Sequence, residues 1–272
     1  MRRASEFAAP LLAKVPRVAL SRFVGRVGRA RLPAPVARLS VASYCALWQV
    51  DLAQAEPSEQ PYRTLDALFT RRLRNGARPV APEGLVSPAD GRLEAVGVID
   101  EGRLTIKGNE YSVSELTGTE QDATRLRGGV FAVVYLSPSD YHRVHSPVDG
   151  EVRRVTGMPG DLFPVNALSD RVPRLFCRNS RVAIGLETRD FGEVVVVMVG
   201  AMNVGRIGIE ALGGGEAESG VTLLDPPRTV ARGDEIGVFH LGSTVVVLSE
   251  QPVGLPKPGR RVRYGESLLV AS

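Results

Sequence analysis

Near the end of the chain, HLGSTVVVL (240–248) runs a glycine and a serine straight into a β-branched strand. The stretch could be a tight turn before the strand, or Ser243 could do chemistry. A serine hydroxyl is a weak nucleophile at neutral pH and needs a base. The chain has only three histidines, and two of them, His142 and His145, fall within YHRVHSPVDG (141–150). Their spacing places them on one face only in a helix, whereas Pro147 and Gly150 argue for a loop or strand end. Two histidines beside an Asp-Gly turn favour an acid/base site. A metal pair is the weaker alternative, because His240 is the one remaining histidine and there is no H-E-x-x-H. His240 itself takes no role beyond being a neighbour of the Gly-Ser bond.

The candidate acids come from an internal echo. SPADGRLEAV (87–96) and SPVDGEVRRV (146–155) share the frame S-P-x-D-G-x-[LV]-x-x-V. Each reads as a turn feeding a strand, with Pro fixing φ, Asp bonding the backbone ahead and Gly accepting positive φ. Two such units suggest a duplicated β-motif whose copies face each other across a pseudo-twofold axis. Two ordinary Asp-Gly turns would explain at least one of the aspartates. Ser243, His145 and either Asp90 or Asp149 could form a charge relay, and the residues alone leave the choice of aspartate close to even. A serine hydrolase built on them would lack the G-x-S-x-G elbow, and Ser243 precedes a strand, not a helix.

Around these residues the 272-residue chain divides near residues 76–84. Before that point the pattern is helical. Ser21 could cap a helix with Leu20, Phe23, Val24 and Val27 on one face and Arg22, Arg26 and Arg29 on the other. Val41, Tyr44, Cys45, Trp48 and Leu52 mark a second helix, and Leu65, Leu68, Phe69 and Leu73 a third, running from Thr64 to a stop at Asn75-Gly76. Its FTRRLR cluster reads as a solvated basic face. Up to residue 40 the charge is Arg2, Arg3, Lys14, Arg17, Arg22, Arg26, Arg29, Arg31 and Arg38 against Glu6 alone. That excess calls for an anionic membrane or a nucleic acid. No apolar run reaches the roughly 18–20 residues of a membrane span, and no secretory signal is present. After residue 82, short apolar runs bounded by Gly, Pro and Asp recur to the end, as in an all-β sandwich or barrel. Cys45 and Cys177 are too few for a disulfide framework and have no C-x-x-C spacing.

The motifs together resemble the phosphatidylserine decarboxylase family of pyruvoyl-dependent proenzymes. LGST (241–244), SPADG (87–91) and YHRVHSP (141–147) match its signatures, and GDLFPVN (160–166), FCRNSRV (176–182) and VGAMNVGRI (199–207) follow in the expected order. The likeness covers nearly the whole chain and departs at Pro164, Ser180 and Met202, which bear on the substrate pocket. It implies an α+β fold: N-terminal amphipathic helices (1–80, basic and membrane-associating), then a predominantly antiparallel β sandwich or barrel-like catalytic body (81–272) with an internal duplication. It implies self-cleavage between Gly242 and Ser243 into chains 1–242 and 243–272, with Ser243 converted to a covalent pyruvoyl cofactor. His145 would be the base and Asp90 would orient it, since the family motif is P-A-D-G. The pyruvoyl group would then form a Schiff base with phosphatidylserine and release CO2 and phosphatidylethanolamine, with His142 assisting decarboxylation or reprotonation. Neither a metal nor pyridoxal phosphate is implied. The implied partners are phosphatidylserine in an anionic membrane and the two chains of one precursor. A homodimer stays open, and no nucleic acid is implied. The implied location is peripheral, on the cytoplasmic face of the cell (inner) membrane. Two rivals remain: a non-catalytic barrel-sandwich carrier or binding module, which leaves HLGST and the paired histidines unexplained, and the serine hydrolase above. Nucleic-acid binding fits the basic arm but finds no motif in the body.

Overall fold

The computed structural model describes residues 28, 30–57, 62–163, 165, 172–201, 206–240 and 243–268. The expected helix around Ser21–Val27, Pro164, Met202 and the Leu241–Gly242 pair lie outside the described residues. Helix α1 spans Ala34–Trp48 and ends where Gln49 turns left-handed and its N–H returns to the Cys45 carbonyl. Helix α2 spans only Leu65–Phe69, with Thr64 capping it by accepting the Ala67 N–H at 3.0 Å. The expected continuation to Asn75-Gly76 does not form. Arg71 leaves the predicted basic face and is buried, donating to the carbonyls of Leu68, Ser139 and Asp140, and Leu73 bridges Ala55 instead. A buried guanidinium that must satisfy carbonyls on another segment overrides helical periodicity.

The body is one open eight-stranded antiparallel sheet, in the order β10-β6-β7-β8-β12-β4-β1-β13. Its strands are β1 (Gly91–Val98), β4 (Val130–Leu136), β6 (Gly150–Met158), β7 (Arg181–Glu187), β8 (Glu193–Gly200), β10 (Gly220–Val230), β12 (Ser243–Ser249) and β13 (Arg261–Val262). A second sheet of three strands runs β5 (Arg143–His145), β11 (Glu235–Phe239), β9 (Ile207–Ile209), and β2 (Arg103–Ile106) pairs with β3 (Asn109–Ser112). The fold is therefore α+β, as expected, but the sheet is not a closed barrel. The end strands β10 and β13 do not pair with each other.

Both faces of the sheet are covered, which is why its central strands read as unbroken valine runs. In β8, Val194, Val196 and Met198 enter one apolar cluster, and Val195, Val197 and Val199 the other. Val245 and Val247 of β12 join the first, and Val246 and Leu248 the second. The three-stranded sheet covers the first face with Val144, Ile207, Ile209, Ile236 and Phe239. Leu104, Ile106, Tyr111, Val113 and Leu116 cover the other. Alternation along β12 places Ser243 on the same face as Val245 and Val247, toward the sheet that carries the histidines.

The two S-P-x-D-G segments form a reciprocal pair. Val86 N–H donates to the Pro147 carbonyl at 3.0 Å, and His145 N–H donates to the Pro88 carbonyl at 2.8 Å. Ser87 Oγ bonds the Ala89 carbonyl, and Ser146 Oγ bonds the Val148 carbonyl. Each segment receives a matching turn. Asp90 accepts the Tyr264 N–H while Gly265 N–H meets the Ser87 carbonyl, and Asp149 accepts the Arg232 N–H while Gly233 N–H meets the Ser146 carbonyl. Both turn glycines have positive φ, 81° and 86°, which favours glycine at those positions.

At the opposite end of the sheet lies a charged cluster: Arg154 pairs with Asp122 and, at 3.0 Å, with Glu193, while Arg125 meets Glu193 at 2.7 Å. Asp122 is fully buried. Asp122→Ala would leave the Arg154 charge partly uncompensated, so chemical denaturation of this variant should show a loss of about 2–4 kcal/mol.

Candidate functional site

Ser243 opens β12, and the ladder on both sides positions it: it lies opposite Gly200 of β8 and Leu136 of β4. Its side chain is buried, and Oγ makes no hydrogen bond among the described residues. Leaving a hydroxyl in that state costs about 1–3 kcal/mol, which a purely structural serine would avoid by bonding a carbonyl. Thr244 and Ser249 on the same strand are buried as well, and neither is orphaned in this way.

His145 closes the short strand β5. Its Nδ1 lies 2.7 Å from the Gly233 carbonyl. A carbonyl only accepts, so Nδ1 carries the proton, and in the neutral ring Nε2 keeps its lone pair. That Nε2 is buried and has no hydrogen-bond partner among the described residues. The ring stacks on Tyr264 with centroids 3.8 Å apart and planes 6° apart, and on Tyr141 at 5.8 Å. Burial lowers its pKa to about 4, while the Gly233 carbonyl and the Asp90 charge oppose the shift.

Asp90 is buried behind this stack. Arg78 holds it through Nε and, at 2.6 Å, through Nη2, and the Tyr264 N–H holds Oδ1 at 2.9 Å. Its carboxylate therefore does not bond the His145 ring; it touches the site through charge and through Tyr264. Asp149, the rival aspartate, has a side chain 65% exposed and is tied to Arg232. Burial and position thus separate two aspartates that the motif leaves nearly equal.

His142 is completely buried, against the Phe69 ring at 5.0 Å, and its carbonyl accepts the Phe239 N–H. Among the described residues neither ring nitrogen finds a hydrogen bond of normal geometry. Burial, then the Arg71 charge, lower its pKa to about 4, against Asp140 and the Ser137 backbone. The turn Ser137–Tyr141 joins His142 to Leu136, the residue opposite Ser243. His145 and Asp90 thus share one neighbourhood through Tyr264. Ser243 and His142 flank the same strand end, and Ser243 Oγ is not hydrogen-bonded to His145.

Tyr264, Arg78 and Gly233 are absent from the sequence-based site. Tyr264 and Gly233 have one signal, the faint echo of ARGDE (231–235) in RYGES (263–267), and Arg78 has none. His240 also gains partners: Nδ1 lies 2.7 Å from Asp66 Oδ1, and Nε2 lies 3.1 Å from an Arg206 nitrogen. Among the described residues there is no group of three His, Cys, Asp or Glu side chains able to hold a metal, and no helix long and apolar enough to cross a membrane.

The model of a family described as phosphatidylserine decarboxylase matches residues 65–270. A phosphatidylserine decarboxylase proenzyme of Brevibacillus brevis is 38% identical, with 95% of each chain covered. One from an Anaeromyxobacter species is 40% identical over 93% of this chain and 94% of its own. One from Myxococcus xanthus is 38% identical over 95% and 91%. The chain is accordingly an enzyme of the lyase class, a decarboxylase. It belongs to the phosphatidylserine decarboxylase family.

Both site histidines are held neutral when folded but titrate near their ordinary 6.5 when unfolded. Between that value and about 4, the unfolded chain takes up protons that the folded one refuses. Stability therefore falls as pH drops through this window. Urea midpoints should decrease from pH 7 to about pH 5, and His142→Phe should remove about half of that slope.

Proposed function

We propose that this chain is the precursor of a self-processing enzyme that decarboxylates phosphatidylserine to phosphatidylethanolamine and CO2, a step of phospholipid biosynthesis. One observation carries the assignment: at the first position of the central strand of a chain of this family, a serine hydroxyl is buried without a hydrogen bond among the described residues. In maturation, Ser243 Oγ attacks the Gly242 carbonyl carbon. The peptide bond breaks, an ester forms, and the hydroxyl proton passes by way of His145 to the freed amine. Loss of the Ser243 α-proton then expels the ester as the Gly242 carboxylate and leaves dehydroalanine. Its tautomer is hydrolysed by water, releasing ammonia and leaving a pyruvoyl group at the head of chain 243–272.

The residues fit these tasks. His145 has its Nδ1 proton committed to the Gly233 carbonyl and a free lone pair on Nε2, as a base requires. Asp90 favours the imidazolium through its charge while Arg78 and Tyr264 fix its position. Once formed, the pyruvoyl carbonyl supplies the electron sink for losing CO2 from an amine-bearing substrate. The pairing of Ser243 with Gly200 and Leu136 would hold that position in place after the cut. His142, neutral and dry, is assigned proton delivery to the carbon that loses CO2. Neither a metal nor pyridoxal phosphate has a part.

The substrate stays in its bilayer, so the basic segment 1–80 is assigned peripheral attachment to anionic lipid on the cytoplasmic face, with 81–272 as the catalytic body. Basic residues near such a surface contribute about 1 kcal/mol each. Helix α1 adds an exposed apolar set, Leu39, Leu47 and Trp48.

Intact mass is the test. The purified protein should be two chains, 1–242 and 243–272, the smaller with a blocked N-terminus; a single uncut chain that turns over lipid would overturn the proposal. Ser243→Ala should stay uncut and inactive. Asp90→Asn should slow maturation by roughly 10-fold or more, and Asp149→Asn far less. His142→Ala should cleave normally yet decarboxylate at least about 100-fold more slowly.

A further inference from the structure

A cavity of about 360 Å³ opens beside Gly200, the strand partner of Ser243, with Ser180, Arg181, Arg206, Ile207 and Glu216 in its wall. Among the described residues two cations line it, and they differ in what they have left to give. Arg181 is consumed by backbone: its guanidinium meets the carbonyls of Glu115, Leu116, Cys177 and Asn179. Arg206 spends one nitrogen on His240 Nε2, and its Nε is buried with no partner among the described residues.

His240 holds Arg206 in a defined way. A guanidinium only donates, so Nε2 of His240 must accept, and Nδ1 must carry the proton that Asp66 receives at 2.7 Å. The His240 N–H also donates to the Arg206 carbonyl at 3.0 Å. Asp66, His240 and Arg206 therefore form a chain of hydrogen bonds from α2 to the cavity wall. It fixes the Arg206 cation, and its middle member, His240, lies three residues before Ser243.

We propose that Arg206 binds the phosphodiester of the substrate headgroup in this cavity, with His240 and Asp66 as positioning residues. The proposal rests on the function proposed above. The substrate has two anionic groups, and the chemistry separates them. A guanidinium on the carboxylate would stabilise the charge that decarboxylation removes, and so would favour the ground state over the transition state. The phosphate keeps its charge throughout, so binding it is uniform. It lowers KM and leaves kcat largely alone. Arginine suits a phosphate because its donors match two oxygens at once. Glu216 in the same wall disfavours a free anion and favours a headgroup that also carries an ammonium.

The test uses mature enzyme and two soluble substrates, dibutyryl phosphatidylserine and O-methylserine, the second keeping the amine and carboxylate but lacking phosphate. Arg206→Ala should raise KM for the first by roughly 10- to 100-fold with kcat within about threefold, and should barely move KM for the second. Arg206→Lys should recover part of the loss. Glycerophosphoethanolamine should compete with the lipid on the unmodified enzyme and lose that competition in Arg206→Lys more than ethanolamine does. Equal KM shifts for both substrates, no KM shift, or no competition by glycerophosphoethanolamine would overturn the assignment. If the unmodified enzyme itself stayed uncut or released no CO2 from phosphatidylserine, the proposed function would fail; if it did both and Arg206→Ala kept its KM, only the phosphate assignment would.

Discussion

β12 is hydrogen-bonded along its whole length on both sides, to β8 and to β4, and its first residue is Ser243. That constraint governs the site. A serine at the tip of a loop could turn toward any polar neighbour. A serine at the first rung of a doubly paired, doubly buried strand has its Cβ direction set by the pleat. The valines behind it lock the register, since a slip by one residue would exchange the two apolar faces. The ladder thus fixes where the hydroxyl points, and the apolar clusters on either side keep it dry.

The second organising element is the reciprocal pair of S-P-x-D-G turns. Near-identical local sequences give near-identical backbone hydrogen bonds, yet the two copies have taken opposite environments. One aspartate is buried beside Tyr264 and Arg78, and the other is left at the surface with Arg232. The copies also serve each other: the turn that meets the second copy supplies the Gly233 carbonyl that sets the tautomer of His145. A duplicated scaffold has become an asymmetric site through which side chains sit behind it, not through a change in backbone design.

Much of this is legible in the residues because it is local. The S-P-x-D-G frame, the valine run of β8, the Gly-Ser junction and the close pair of histidines all lie within short windows. What escaped is long-range. Gly233 lies 88 residues from His145, and Tyr264 lies 174 from Asp90, as does His240 from Asp66. No spacing rule spans such separations when the connecting strands can be ordered in many ways. The third expected helix stops at Phe69 for a related reason: Leu73 fits helical periodicity, but Arg71 satisfies carbonyls contributed by the Ser139–Asp140 turn, which no window around it contains. The residues left sandwich and closed barrel open, because alternating strands specify covered faces and say nothing of whether the end strands meet.

The tail after Ser243 does more than finish the chain. It supplies β12, it supplies β13 at the sheet edge, and through Tyr264 and Gly265 it supplies the ring over His145 and the N–H groups on Asp90 and Ser87. A break just before Ser243 would therefore leave a complementation pair, two polypeptides each holding half of one centre. The short one would be woven through the middle and the margin of the other's sheet. Such a pair can neither exchange nor separate without exposing both valine layers to water, so the covalent link becomes dispensable once the sheet has closed.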